Sequence, residues 1–322
     1  LSIIEFLSAI YRAPSKQRLR LFRTLLPFLV KPEPEISRME ICEFDSHENY
    51  PRAFARFAQL LGHPKQLPAP DELAFLHSIV NRRVHYPGAI GSQEYLFLTA
   101  LASILAPPRA LEVGTSSGFS SALIAAVLHR RHPQLMGALV ETIDLHSEYL
   151  VDPTKPIGFE IVELLSDQQE AVRVHTGRES DLVRHLAAPG QFEFVFIDAD
   201  HQHPWPLLDL LRVAPYLREN GWIALHDIEL GTIGVTAEKS GRPLPYGAPF
   251  GAEWLFDRWP FRKISGGNIG ALQLPLEKTS IIPTALELME LPFEMSAASH
   301  RRMRRALYRA IGELLSCRVS LN

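Results

Sequence analysis

The stretch Ala110-Leu-Glu-Val-Gly-Thr-Ser-Ser-Gly-Phe-Ser-Ser-Ala-Leu-Ile-Ala-Ala126 passes from an aliphatic run through a turn of small residues into a second apolar run. The first part reads as a buried strand and the alanine-rich part beyond Gly118 as the helix that returns over it. Gly114 and Gly118 carry no side chain to block a ligand, and the amides that open the helix point toward whatever sits above the strand end. The spacing is Gly-x-x-x-Gly. It differs from the Gly-x-Gly-x-x-Gly of dinucleotide sites and lacks the Gly-Lys-Ser/Thr of a P-loop, so hydride transfer and nucleotide hydrolysis both lose support. A tight strand-to-helix connection without a ligand is the competing reading.

Outward from this segment, residues 82–274 alternate short β-branched and aliphatic runs with helical stretches, the pattern of a parallel sheet with crossover helices. Strands are expected at Ala110–Val113, Leu139–Leu145, Ala171–His175, Phe194–Ile197, Trp222–Leu225 and Ile269–Leu274. Residues 1–81 show helical spacing broken repeatedly by proline, which predicts a set of short helices. Residues 275–322 turn helical again, with one long helix over Met295–Leu315. The expected division is an N-terminal helical region at 1–81, a ligand-binding α/β domain at 82–274 and a C-terminal helical extension at 275–322.

The 322 residues are 46% hydrophobic and 21% charged, which excludes disordered, collagen-like and disulfide-scaffold chains. With 33 basic and 36 acidic residues the net charge is −3, so no global field holds a polyanion. Cys42 and Cys317 supply neither a disulfide framework nor a cysteine zinc cluster. Leu96–Ala106 is too short to span a bilayer, and the N-terminal stretch lacks a secretory cleavage pattern. The expected compartment is the cytoplasm.

A second segment, Gly137-Ala-Leu-Val-Glu-Thr-Ile-Asp144-Leu145, is a strand ending in an acid. A carboxylate there can accept both hydroxyl hydrogens of a ribose. Glu141 is the rival acid. Strand alternation and its terminal position favour Asp144, at the edge where open α/β sheets bind ligands. An exposed strand-end aspartate is the alternative.

Together, Glu112-Val-Gly114-Thr115-Ser116-Ser-Gly118-Phe-Ser120, Thr142-Ile-Asp144 and Phe196-Ile-Asp198-Ala-Asp200-His201 resemble the class I S-adenosylmethionine-dependent methyltransferases, and among these the small-molecule O-methyltransferases. The resemblance covers about Tyr86 to Leu274. It implies a Rossmann-like, doubly wound, mostly parallel seven-stranded sheet with helical extensions at both ends. It further implies that Glu112, Gly114, Thr115, Ser116, Gly118 and Ser120 surround the methionine part of the cofactor. Asp144 would take the ribose and Gly177-Arg178 would lie beside the adenine, while Asp198 is expected both to bind the cofactor and to take part in catalysis.

The third segment carries the reaction. Phe194-Val-Phe-Ile-Asp198-Ala-Asp200-His201-Gln-His203 and Trp222-Ile-Ala-Leu-His226-Asp227 both end apolar strands. If those strands are neighbours, as in the resembled fold, their ends lie about 4.8 Å apart. Asp198, His226 and Asp227 then offer oxygen and imidazole donors that suit Mg2+ or another divalent cation, which would lower the pKa of a substrate hydroxyl. Catechol-type members of the resembled class place lysine where His201 stands, and Asp-Asn where His226-Asp227 stands. Asp198-x-x-His201 looks more like the sugar-hydroxyl methyltransferases, in which such a histidine is the base. That resemblance makes His201 the general-base candidate, and imidazole suits proton transfer near neutral pH. The plainer reading makes the three histidines caps of strand ends.

Weaker signals complete the picture. Ser92-Gln93-Glu94 reads as a helix cap, although its region often borders the cofactor in the resembled class. Arg82, Arg83, His85 and Tyr86 read either as a substrate mouth or as a solvated linker. Five arginines within His300–Arg309 read as a wet helix face, and Trp254, Phe256, Trp259 and Phe261 mainly as core. The expected function is methyl transfer from S-adenosylmethionine to a hydroxyl of a small molecule. N-methylation of an amine or protein, and a non-catalytic cofactor-binding scaffold, are the alternatives. The expected partner is the small-molecule acceptor, with neither nucleic acid nor membrane, and a homodimer is left open.

Overall fold

The computed structural model describes residues 3–30, 39–82, 86, 89–241, 244 and 250–317. Among the described residues, eight strands form one sheet in the order β1-β7-β8-β6-β5-β2-β3-β4. They are β1 Glu40–Ile41, β2 Ala110–Val113, β3 Val140–Ile143, β4 Val172–His175, β5 Phe192–Ile197, β6 Leu217–His226, β7 Lys263–Ser265 and β8 Ile269–Gln273. Strands β4 through β6 run parallel across the sheet, β8 is antiparallel to β6 and to β7, and β1 adds in parallel beside β7.

The sheet is the expected Rossmann-like, doubly wound type with one strand more than the seven expected. The additional strand, β1, comes from the N-terminal region, where Glu40 and Ile41 pair with Ile264 and Ser265. Two residues are too few to leave an alternation pattern. Strand β7 is equally short and joins β8 through the Gly266-Gly267-Asn268 turn, with Gly267 at φ +89°.

Alternation along the strands sends side chains into two separate cores. Leu111, Val113, Val195, Ile197, Ile223 and Leu225 meet the helices Trp205–Val213, Ile282–Glu290 and Ala297–Cys317, together with Ala13, Leu21 and Leu25 from the N-terminus. On the opposite face, Phe194, Phe196, Trp222 and Ala224 meet the helices Tyr50–Leu60, Ser92–Leu105 and Phe119–Arg131. Covering both faces is what makes the strands nearly uniformly apolar.

The N-terminal residues thus contribute to both layers and to the sheet edge. Glu72 ties them down from within: fully buried, its carboxylate accepts from Tyr50 Oη (2.7 Å), Ser103 Oγ (2.7 Å) and the Arg131 guanidinium (3.3 Å). Among the described residues no helix is long and apolar enough to cross a membrane.

The chain winds from β2 outward to β3 and β4, then returns to place β5 against the other side of β2. Such a reversal leaves a crevice above the carboxyl ends of β2 and β5, where open α/β sheets bind ligands.

Candidate active site

In-register pairing aligns the strand ends. Val113 lies opposite Ile143 and Ile197, so Gly114 emerges between Asp144 and Asp198. Gly114 N–H donates to the Ile143 carbonyl (2.9 Å) and Asp198 N–H to the Val113 carbonyl (2.8 Å). Gly114 has φ +98°, and a Cβ there would sit 2.0 Å from the Asp198 carbonyl oxygen. Glycine is therefore required twice over, by conformation and by the approach of the two chains.

The loop beyond it lines a narrow cleft together with Ala89, Ile90, Phe119 and Asp198. Thr115, Ser116, Ser117, Ser120 and the Asp198 carboxylate line it, although the Thr115 and Ser116 amides and the Ser120 hydroxyl already donate within the protein. Small hydrogen-bonding groups around an acid suit the ammonium and carboxylate of an amino acid.

Two expected ligand-binding acids are tied to the loop itself. Glu112 is 0% exposed and lies beneath the turn. It accepts hydrogen bonds from Ser120 Oγ (2.5 Å), Thr142 Oγ1 (2.6 Å) and Ser121 Oγ. Burial pushes its carboxyl up to about 7 against the pull of those hydroxyls. Glu112 thus lies beneath the turn and is not among the residues lining the cleft. Asp144 Oδ2 accepts the amides of Thr115 (3.0 Å) and Ser116 (2.9 Å), while Oδ1 accepts that of His146 (2.9 Å). Its carboxylate fixes the loop, and ribose would have to share it. The rival Glu141 is buried on another side of the strand, held by Arg109 (2.6 Å) and His175 (2.7 Å). Gly177 and Arg178 are exposed after β4, and Arg178 N–H donates to the Asp144 carbonyl (3.0 Å).

Strands β5 and β6 are neighbours, so the third segment folds into one cluster. His201 Nδ1 lies 2.8 Å from Asp227 Oδ2, and Asn268 Nδ2 donates to Asp227 Oδ1 across 2.7 Å. Asp227 occupies left-handed backbone at φ 62°, an uncommon conformation for a residue with a side chain and one concentrated at functional sites. Burial opposes charge on His201, but the bond to Asp227 and the nearby Asp198 raise the imidazole above its ordinary range. Asp227 is held correspondingly low by the two histidines despite its burial.

His226 points elsewhere. Its Nδ1 lies 3.0 Å from Asp198 Oδ1, and its Nε2 lies 3.3 Å from Glu94 Oε2, out of hydrogen-bond alignment. Burial works against its protonation, yet Asp198, Glu94 and Asp227 keep it protonated well above the usual histidine range. Asp198, His201 and Asp227 bring one ligand atom each within 4.8 Å of one another. The group that could hold a cation thus contains His201 where His226 was expected.

Glu94 and Asn268 belong to this cluster although neither was read as functional. Glu94 does cap its helix as expected, accepting the Gly91 amide, and the same carboxylate faces His226. Nothing in sequence spacing joins residue 94 to 226. The Gly-Gly-Asn tripeptide at 266–268 is a hairpin signal that would have found Asn268. His203 is buried, with Nε2 3.0 Å from the Leu288 carbonyl and its ring against Trp254 and Phe293, and burial lowers it to about 4. Arg82, Arg83 and His85 lie outside the described side chains. Of the aromatic run, Phe256 and Trp259 are core, as expected.

Residues 111–228 match the family model described as a methyltransferase domain. No curated protein matches the chain. Among solved structures, the O-methyltransferase TomG from Streptomyces achromogenes, involved in tomaymycin synthesis and bound to SAM, is 20% identical over 65% of this chain and 83% of its own, with a TM-score of 0.38. Cofactor-bound Rv0187 from MTB is 22% identical over 71% of this chain and 98% of its own, with a TM-score of 0.42. The O-methyltransferase from Bacillus cereus in complex with SAH is 17% identical over 71% and 100%, with a TM-score of 0.40. Over residues 111–228 the chain is thus similar to a methyltransferase domain. That domain holds the glycine loop, Asp144, Asp198, His201 and the His226–Asp227 pair.

Proposed function

We propose that the protein transfers a methyl group from S-adenosylmethionine to a hydroxyl oxygen of a small molecule, with His201 as general base. One observation carries this reading: Asp198 belongs at once to the glycine-loop cleft and to the acid–histidine cluster, so donor and acceptor would meet across one side chain. When bound, S-adenosylmethionine supplies an electrophilic methyl group on sulfur. The loop residues Gly114 to Ser117 and Ser120 hold its amino-acid end, and Asp144 keeps that loop in place.

Asp227 holds His201 in the tautomer with the proton on Nδ1, which makes Nε2 the nitrogen that takes the acceptor's hydroxyl proton. His226 neutralises Asp198 and fixes its orientation. Holding the acceptor oxygen in line with the donor would provide much of the acceleration, with deprotonation supplying about 100- to 10,000-fold.

Asp198, His201 and Asp227 also fit a divalent cation, because two carboxylates and one imidazole, all largely buried, form an oxygen-rich donor set. With His201 as a ligand its imidazole could not also take the proton, so a cation there would activate the hydroxyl by Lewis acidity in place of the base. Isothermal titration with S-adenosylhomocysteine, followed by a radiolabelled methyl-transfer screen over phenols and sugars with and without chelator, tests the reading. Absence of nucleoside binding would remove it. Binding with transfer only to amines would move it to N-methylation.

A further inference from the structure

The helix Ala297–Cys317 carries five arginines and no lysine. Met303, Leu307, Ala310 and Leu314 bury one side of it in the core. Arg301, Arg302, Arg305 and Arg309 are exposed, and at 3.6 residues per turn they fall within an arc of about 100° on the opposite side. Ser316 falls within the same arc, and its hydroxyl accepts from the exposed Arg20 of the helix Ser15–Val30 (2.8 Å). Arg20 therefore continues the row set by Arg301, Arg302, Arg305 and Arg309. From residue 301 to residue 316 the row is about 22 Å long at 1.5 Å per residue.

Arg304, on the flank of the row, is the arginine of this helix that finds protein partners: it donates to the Met289 carbonyl (2.7 Å) and lies 3.9 Å from Glu290. Among the described residues, none of Arg301, Arg302, Arg305 and Arg309 forms an ion pair. The helix has a single acid, Glu313, beyond the last of them.

Arg301 and Arg305, and again Arg305 and Arg309, stand one turn apart, where like charges destabilise a helix. The first turn has no acid to answer the amides that open it. A run of negative charge laid along the row would offset both costs. The chain as a whole has a net charge of −3, so the positive field is confined to this helix face.

We propose that the arginine row docks on the phosphate backbone of a nucleic-acid duplex. A guanidinium offers a planar fork that matches two phosphate oxygens, and arginine alone fills the row. Cations in one line suit phosphates in one line. A flat anionic bilayer fits less well, since no large apolar side chain of this helix is exposed to enter it. Exposed Glu294, just before the helix, would also be pressed against like charge. A two-fold contact between copies through this row would set arginine against arginine. Contacts to phosphate position a duplex without reading its sequence. The proposal is independent of the methyl-transfer reading, and for this surface it replaces both the wet helix face and the expectation of no nucleic-acid partner.

Fluorescence anisotropy of the full chain with a labelled DNA duplex of about 20 base pairs tests it, starting at about 50 mM salt. Binding is expected, with the logarithm of the affinity falling against that of salt at a slope of about −4 to −5 for five phosphate contacts. A second duplex of unrelated sequence should bind within threefold. Arg305→Gln/Arg309→Gln should bind at least tenfold more weakly, with a slope shallower by about two. Both side chains are exposed, and circular dichroism checks that the variant folds. Arg52→Gln/Arg56→Gln removes the same charge from an exposed position on the helix Tyr50–Leu60 and should leave binding within twofold. The proposal is overturned if the unaltered chain ignores the duplex, if the Arg305/Arg309 variant keeps its affinity and slope, or if the Arg52/Arg56 variant loses as much. Tighter binding to phosphatidylglycerol vesicles or to poly-glutamate than to the duplex also overturns it, and gives the row to a membrane or to an acidic protein.

Discussion

Asp227 stands 2.8 Å from His201 Nδ1 while its own backbone is held at φ 62°, so the orientation of the candidate base depends on a locally strained turn at the end of β6. Asn268 braces the other carboxylate oxygen from the β7–β8 hairpin. Base, orienting acid and brace therefore come from three separate strand ends.

His201→Ala should lower kcat by about 100- to 10,000-fold while leaving S-adenosylhomocysteine affinity within a factor of three. Stopped-time transfer assays and calorimetry on the same preparation check the split. A base works when deprotonated, and Asp227 raises His201 above its ordinary range. In the absence of a bound cation, kcat/KM should therefore rise with pH through a midpoint above 6.5. Asp227→Asn should move that midpoint downward, because the lost negative charge no longer favours the imidazolium.

Glu94→Ala should reduce transfer at least tenfold with little change in cofactor affinity. The substitution leaves the buried His226 with carboxylates on one side only and removes the acceptor of the Gly91 amide. Glu94→Gln keeps an acceptor for that amide and should recover thermal stability without recovering activity. Recovery of both would reduce Glu94 to a helix cap.

Gly114→Ala should abolish cofactor binding and destabilise the fold by about 3 kcal/mol or more, since its Cβ would collide with the Asp198 backbone in a conformation that disfavours side chains. Asp144→Ala should fold but lose at least tenfold in S-adenosylhomocysteine affinity, because the Thr115 and Ser116 amides lose the acceptor that shapes the loop. Calorimetry against unaltered protein measures both.

Two buried groups give the stability opposite dependences on pH. Glu112 titrates at about 7 in the fold against about 4.5 unfolded, so the folded state binds the extra proton and stability falls as pH rises through that window. His203 titrates at about 4 against 6.5 unfolded, so the unfolded state binds the extra proton and stability falls as pH drops through its window. Each spans on the order of 3 kcal/mol. Between pH 4.5 and 6.5 the two oppose each other. Urea unfolding of Glu112→Gln should show stability rising with pH across that range more steeply than in the unaltered chain. For His203→Gln the slope should turn toward falling.

The glycine loop, Asp144 and Asp198 were legible in sequence because each ends a strand whose neighbours are fixed by register, and register follows from apolar patterning. The central strands were found within a few residues for the same reason. Strands β1 and β7 escaped because two or three residues carry no periodicity and their pairing is set by distant chain. Glu112 had the residue type of a ligand contact, but only the packed structure shows it closed off beneath the turn by three hydroxyls.

Sequence alone therefore determined the sheet class, the crevice above β2 and β5, and the chemical types gathered there, since local alternation and glycine placement act over a few residues. Which histidine joins the two aspartates, and that Glu94 and Asn268 stand behind them, was decided only when side chains from residues 94, 198, 201, 226, 227 and 268 converged in space. Hydrogen-bond direction and burial assign those roles, and both depend on contacts between segments far apart along the chain.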